Sequence, residues 1–206
     1  MNAIAVLDFA GVALFAATGA LAASRKQLDI IGFIFLATVT GMGGGTARDL
    51  ILDVPVFWIQ KPVYISICAA AAVATFFGAH LLESRYRWLL WLDALALAAY
   101  GVFGAYKGLL ATGSPIIAVV MAMITGTLGG ILRDVLTSEP SVLMRKEIYI
   151  SAAMAGGLAY VLADLAGLRL PLAAGVGVLV AFGFRGGALA FGWNLPPYKS
   201  RPGRPL

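Results

Sequence analysis

The sequence predicts an all-α membrane protein of seven transmembrane helices, built as an inverted three-plus-three helix repeat with a seventh helix added. Three observations carry that prediction. The 206 residues are 61% hydrophobic and only 12% charged, with a mean hydropathy of +0.91, so there are too few polar side chains to clothe a water-soluble globule of this size. The apolar residues fall into seven stretches, each close to the roughly 20 residues a helix needs to cross about 30 Å of hydrocarbon. One unusual phrase also occurs twice: residues 40–55 read TGMGGGTARDLILDVP and residues 125–140 read TGTLGGILRDVLTSEP, displaced by the same 85 residues that separate Arg48 from Arg133. A repeat of this length has to be settled before any single element.

The first stretch, Ala3 to Ala23, lacks the basic leader of a cleavable signal peptide and carries Asp8, so it reads as a span. The second, Ile30 to Leu52, holds the first copy of the phrase. The third, Val63 to Leu82, contains the single cysteine, Cys68, which leaves no intrachain disulfide to form. The fourth, Trp88 to Tyr106, echoes the first through Leu92-Asp93 against Leu7-Asp8 and Gly104 against Gly19. The fifth, Pro115 to Leu136, holds the second copy of the phrase, and the sixth, Ile148 to Leu165, follows Lys146 and includes Tyr149, the matches of Lys61 and Tyr64. The seventh, Leu170 to Phe191, has no counterpart. The chain therefore divides into a first repeat at 1–84, a second at 85–167, a seventh helix at 168–193 and a tail at 194–206. That tail, NLPPYKSRPGRPL, is proline-rich and basic and is expected to be a flexible cytoplasmic end beside anionic lipid.

Each repeat has an odd number of spans, so the second copy enters the bilayer from the opposite side, an arrangement that places binding or permeation sites near the midplane. With the N-terminus outside, Arg25, Lys26, Arg85, Arg87, Arg145, Lys146, Lys199, Arg201 and Arg204 face the cytoplasm, and only Lys61, Lys107 and Arg169 face out. Nine against three satisfies the positive-inside rule. The net charge of +5 is thereby explained by topology. No basic run with interleaved aromatics exists, so nucleic acid is not an expected partner. Trp58, Trp88, Trp91 and Trp193 fall near the expected membrane surfaces as belt anchors.

Glycines crowd the middle of the second and fifth spans: Gly41, Gly43, Gly44 and Gly45 in one, Gly126, Gly129 and Gly130 in the other. Each costs about 1 kcal/mol relative to alanine in a helix interior, and irregular backbone at this depth survives only against protein or a watery cavity. A kink or unwound turn is expected at each cluster, forming the waist of an hourglass. Arg48 and Arg133 follow within two turns, where an unpaired charge costs roughly 2.5 to 3.5 kcal/mol or more. Adjacent helical residues point about 100° apart, which argues against Arg48 pairing with Asp49. Matching depths instead suggest buried ion pairs of Asp8 with Arg48 and of Asp93 with Arg133, leaving Asp49 and Asp134 to face an aqueous vestibule. Arg185 is a further intramembrane charge. His80 has no companion at metal-ligand spacing, and the sequence shows no phosphate-binding loop and no nucleophile with a histidine base. No catalytic residue, cofactor or metal is expected, and the chain does not read as an enzyme.

Seven spans, an inverted repeat and T-G-x-x-G-G-x-x-R-D in both halves resemble the prokaryotic branch of the trimeric intracellular cation channel (TRIC) family, over nearly the whole chain. The early L-D-x-x-G and the R-G-G-A-L-A-F-G-W-N-L-P of Arg185 to Pro196 also resemble related bacterial membrane proteins with glycine-transporter domains. The first resemblance implies a homotrimer in the bacterial inner membrane, in contact with lipid and passing monovalent cations, potassium and sodium, through an hourglass pore inside each protomer. It implies kinks in the second and fifth helices at Gly43, Gly44, Gly45, Gly129 and Gly130, with Arg48, Asp49, Arg133 and Asp134 near the pore. The second resemblance carries the alternative, a secondary transporter for glycine or another small amino acid.

Overall fold

Long apolar runs bounded by polar or glycine caps become helices here. The computed structural model describes residues 3–82, 84–141 and 148–196, and these are almost entirely helical. In chain order they form α1 (Ala3–Arg25), α2 (Ile30–Ile51), α3 (Phe57–Gln60), α4 (Val63–Gly78, continued by a 3-10 turn at Ala79–Leu81), α5 (Arg85–Thr112), α6 (Pro115–Leu136), α7 (Ile150–Leu165) and α8 (Leu170–Phe191). Six of them are long and apolar enough to cross a membrane. The remaining long element, α7, has 16 residues, about 24 Å at 1.5 Å per residue. The predicted cytoplasmic residues Arg145, Lys146, Lys199, Arg201 and Arg204, and the tail beyond Pro196, lie outside the described residues.

Local chemistry sets the ends. Asp29 caps α2 by accepting from the Gly32 N–H at 2.7 Å, and Ser114 with Pro115 opens α6, the two preferred devices for a helix N-terminus. Gly113, at φ +66°, closes α5 in the left-handed conformation that only glycine adopts without strain. The repeat extends to the backbone at the ends of α2 and α6. Val54 N–H donates to the Asp49 carbonyl at 3.0 Å and Glu139 N–H to the Asp134 carbonyl at 2.9 Å, while the matched residues Asp53 and Ser138 both turn left-handed at φ 51°. This is a Schellman-type stop written twice.

The exterior is apolar, as a lipid-facing surface should be: Ile31, Phe77, Ile116, Leu179 and Phe191 are each 68% exposed or more, a pattern that would be a liability in water. The interior is lined by small residues. A Cβ on Gly19 would come within 2.6 Å of Thr40 Oγ1, and one on the matched Gly104 within 2.5 Å of Thr125 Oγ1. Thr40 and Thr125 in turn offer their carbonyls to the opposite repeat: the Thr125 carbonyl lies against Gly44, and the Thr40 carbonyl against Gly129. Two chains of contact, Gly19 to Thr40 to Gly129 and Gly104 to Thr125 to Gly44, thus knit α1, α2, α6 and α5 about a pseudo-two-fold axis.

This corrects the expectation of unwound glycine turns. Both α2 and α6 are α-helical through their clusters. The glycines let the two helices cross at backbone contact, where Cα–H to carbonyl approaches add to dispersion, and that packing offsets their poor helix propensity.

Candidate functional site: two opposed arginine and aspartate clusters

The Schellman stops hold Arg48-Asp49 and Arg133-Asp134 in the last turns of α2 and α6, at opposite ends of the crossing. All four are buried within the chain. At the first cluster, Arg48 Nε donates to Asp49 Oδ1 at 2.8 Å, and Nη2 lies 2.7 Å from the same oxygen as an ion pair. The other carboxylate oxygen of Asp49 accepts the Phe57 N–H at 2.9 Å. Nearby, Trp58 Nε1 donates to Thr46 Oγ1 at 2.9 Å. Asp49 and Thr46 therefore dock the short α3 onto α2, and Trp58, expected as a belt anchor, belongs to this joint. The rings of Phe103, Phe57 and Tyr100 surround the guanidinium at 5.1, 5.7 and 5.9 Å, close enough for cation–π attraction.

Asp8 takes no part in an ion pair with Arg48. It accepts a hydrogen bond from the Tyr64 hydroxyl of α4, and its Oδ1, like Arg48 Nη1, has no hydrogen-bond partner among the described residues. Both residues line one cavity of about 300 Å³, with Lys61, Tyr64, Phe103 and Lys107.

The second cluster repeats the components and differs in the bonds. Arg133 Nε and Nη2 donate to Asp134 Oδ1 at 3.0 and 2.8 Å. Its Nη1 additionally donates to Asp93 Oδ1 of α5 at 2.7 Å and to Thr18 Oγ1 of α1 at 3.1 Å. Three helices are thereby tied by one guanidinium. The cavity that Arg133 and Asp134 line, with Arg25, Tyr86, Thr137 and Glu139, measures about 10 Å³. Glu139 also bridges Lys26 at 3.1 Å and Arg25 at 3.5 Å. Charge-assisted bonds buried to this degree are stronger than their exposed equivalents.

The structure also corrects the division of labour among the aspartates. Instead of facing water, Asp49 and Asp134 are each buried, and each holds its neighbouring arginine. The angle of 100° separates Cβ directions, but a long arginine side chain curls back across it. Arg185 of α8 is buried as well. Its Nη1 donates to the Ile148 carbonyl at 3.2 Å, and its guanidinium lies 5.1 Å from the Tyr149 ring. The glycines find specific employment: Gly45 leaves room for the Tyr100 hydroxyl, and Gly130 for the Tyr149 hydroxyl and Asp93 Oδ1. Gly126 meets Gly101 of α5, whereas Gly43 faces Leu132.

Nothing in the sequence pattern singles out Thr18, Phe57, Tyr100 or Phe103. The match of Tyr64 with Tyr149 is a usable signal, since a paired polar side chain inside paired spans asks for a partner.

The comparisons with known proteins match the repeat and the fold. A family model described as glycine transporter matches the chain twice, at residues 5–80 and 90–165, with the same displacement as the internal repeat. The inner membrane protein YadS of Escherichia coli (strain K12), labelled UPF0126, is 36% identical over 195 residues, covering 93% of this chain and 94% of the relative. The TRIC trimeric intracellular cation channel orthologue from Rhodobacter sphaeroides is 48% identical, with a TM-score of 0.91 over 94% of this chain and 100% of that one. A prokaryotic TRIC channel in 0.5 M KCl is 27% identical, with a TM-score of 0.86 over 93% and 98% of the two chains.

Proposed function

The chain belongs to the glycine transporter family and, with it, to the prokaryotic trimeric intracellular cation channels, and from this we propose that it conducts monovalent cations, chiefly potassium and sodium, down their gradients. In this reading it is a homotrimer in the bacterial inner membrane, N-terminus outside and C-terminus cytoplasmic, with one hourglass path per protomer. The observation that carries the reading is the pair of inverted helices, α2 and α6, crossing at Gly44 and Gly129 with an arginine and aspartate cluster beyond each side of the crossing. Such a crossing narrows a path to its waist at the midplane, and the clusters guard its two mouths. Gly44 and Gly129 stand at the crossing itself, and Gly43, Gly45, Gly126 and Gly130 make room around it for Leu132, the Tyr100 hydroxyl, Gly101 and the Tyr149 hydroxyl. Asp8 and Lys107 line the outer mouth with Arg48, and Arg133 closes the inner one.

A second reading, transport of glycine or another small amino acid, is favoured by one feature. Arg48 Nη1 and Asp8 Oδ1 are a buried donor and acceptor without partners among the described residues, lining the same cavity of about 300 Å³, as a zwitterion's carboxylate and ammonium require. Planar-bilayer recording of purified protein in asymmetric potassium chloride, with glycine uptake into liposomes from the same preparation, separates the two. Unitary currents reversing near the potassium potential support the channel. Saturable glycine uptake without such currents supports the transporter.

A further inference from the structure

The two mouths are built from the same parts and stand in different states. The internal symmetry carries Arg133 onto Arg48, Asp134 onto Asp49, Asp93 onto Asp8, Tyr149 onto Tyr64 and, across the repeats, Thr18 of α1 onto Phe103 of α5. Where the Thr18 hydroxyl accepts from Arg133 at 3.1 Å, the matched position next to Arg48 is an aromatic ring 5.1 Å from the guanidinium. Where Asp93 holds Arg133 at 2.7 Å, the matched Asp8 is taken by the Tyr64 hydroxyl. The consequence is visible in volume: about 300 Å³ beside Arg48 and about 10 Å³ beside Arg133.

Resting on the channel reading, we propose that Arg133 is the closed gate of the path and that Thr18 is the positioning residue that holds it shut. Thr18 touches no permeating ion. Its hydroxyl donates to the Phe15 carbonyl at 2.8 Å within α1, which turns an oxygen lone pair toward Arg133 and fixes the guanidinium across the mouth between α1, α5 and α6. Opening moves Arg133 to the arrangement Arg48 already has, bonded to its neighbouring aspartate alone. The ion pair with Asp134 keeps the charge satisfied in both states, so the gate swings without ever leaving a bare cation in the membrane. Thr18 and Asp93 are the bonds that distinguish the two states, and a ligand or bond shifts an equilibrium only through such a difference.

The test replaces Thr18, which is fully buried, by valine, equal in shape and lacking the hydroxyl, and by serine, which keeps it. Single-channel recordings of the purified, intact protein should show Thr18→Val raising open probability about tenfold, the effect of losing one charge-assisted hydrogen bond, with unitary conductance unchanged. Thr18→Ser should gate as wild type. Wild-type currents with unaltered open probability in Thr18→Val would overturn the proposal alone. So would a Thr18→Ser variant that behaves like Thr18→Val, or a Thr18→Val protein that no longer assembles while Thr18→Ser does, since either assigns Thr18 to packing. A wild-type protein without unitary currents would instead refute the channel reading and this inference with it.

Discussion

Replacing Asp93 by asparagine removes the charge that holds Arg133 while keeping the size of the side chain, and its cost depends on the bonds Arg133 retains. Asp93 and Arg133 are both at most 2% exposed and bonded at 2.7 Å. Breaking a buried pair from one side costs roughly 3 to 5 kcal/mol when the remaining charge is left alone. Arg133 is not left alone, because Asp134 still accepts at 2.8 Å and Thr18 at 3.1 Å, so about 2 to 3 kcal/mol is the expected loss. The matched change at the other cluster, Asp8→Asn, removes a carboxylate that holds only the Tyr64 hydroxyl. An amide oxygen can accept that bond, and the expected cost is below about 1 kcal/mol. Thermal unfolding in detergent reads the difference, at roughly 2 to 4 °C per kcal/mol for a chain of this size. A cycle of Asp93→Asn with Arg133→Gln should show a double mutant milder than the two singles summed. Equal destabilisation by Asp8→Asn and Asp93→Asn would refute the asymmetry between the two clusters.

Three further outcomes are expected. Asp49→Asn should destabilise by about 2 kcal/mol, because Asp49 serves both Arg48 and the Phe57 N–H; a neutral melting curve would return Asp49 to the solvent-facing role. Gly44→Ala and Gly129→Ala should each cost well over about 1 kcal/mol, since the added methyl runs into the opposite helix's carbonyl, whereas Gly175→Ala, where nothing lies within 4 Å, should gain about 0.5 to 1 kcal/mol from helix propensity; the same melts would show equal effects if the crossing were loose. Cysteines placed at Lys107 and at Arg87 should label from opposite sides of intact cells with an impermeant reagent, and equal labelling would overturn the orientation.

Much of the fold is legible in the sequence because hydropathy and the repeat report on the bilayer directly. The helix α3 is not: four residues between Pro55 and Pro62 carry no periodicity, and they form a helix because Asp49 and Thr46 dock them. The fourth span is longer at both ends than its apolar stretch predicts. Arg85 and Arg87 look like loop residues by charge, yet Ser84 caps the helix, and it continues past Lys107 to a stop at Gly113. At the site, equal depth predicts ion pairs of Asp8 with Arg48 and of Asp93 with Arg133; the structure has the second, whereas Asp8 takes the hydroxyl of Tyr64, 56 residues away in sequence, and only shares a cavity with Arg48. The glycine clusters mislead for the opposite reason. Propensity is a local quantity, and here a crossing helix from the other repeat decides the outcome.

The measurement that tests the central claim most directly is the reversal potential of unitary currents from the purified protein in a planar bilayer with asymmetric potassium chloride. A cation-conducting path predicts discrete openings reversing near the potassium equilibrium potential. Reversal near the chloride potential, or silent bilayers beside saturable glycine uptake in liposomes from the same preparation, would contradict it.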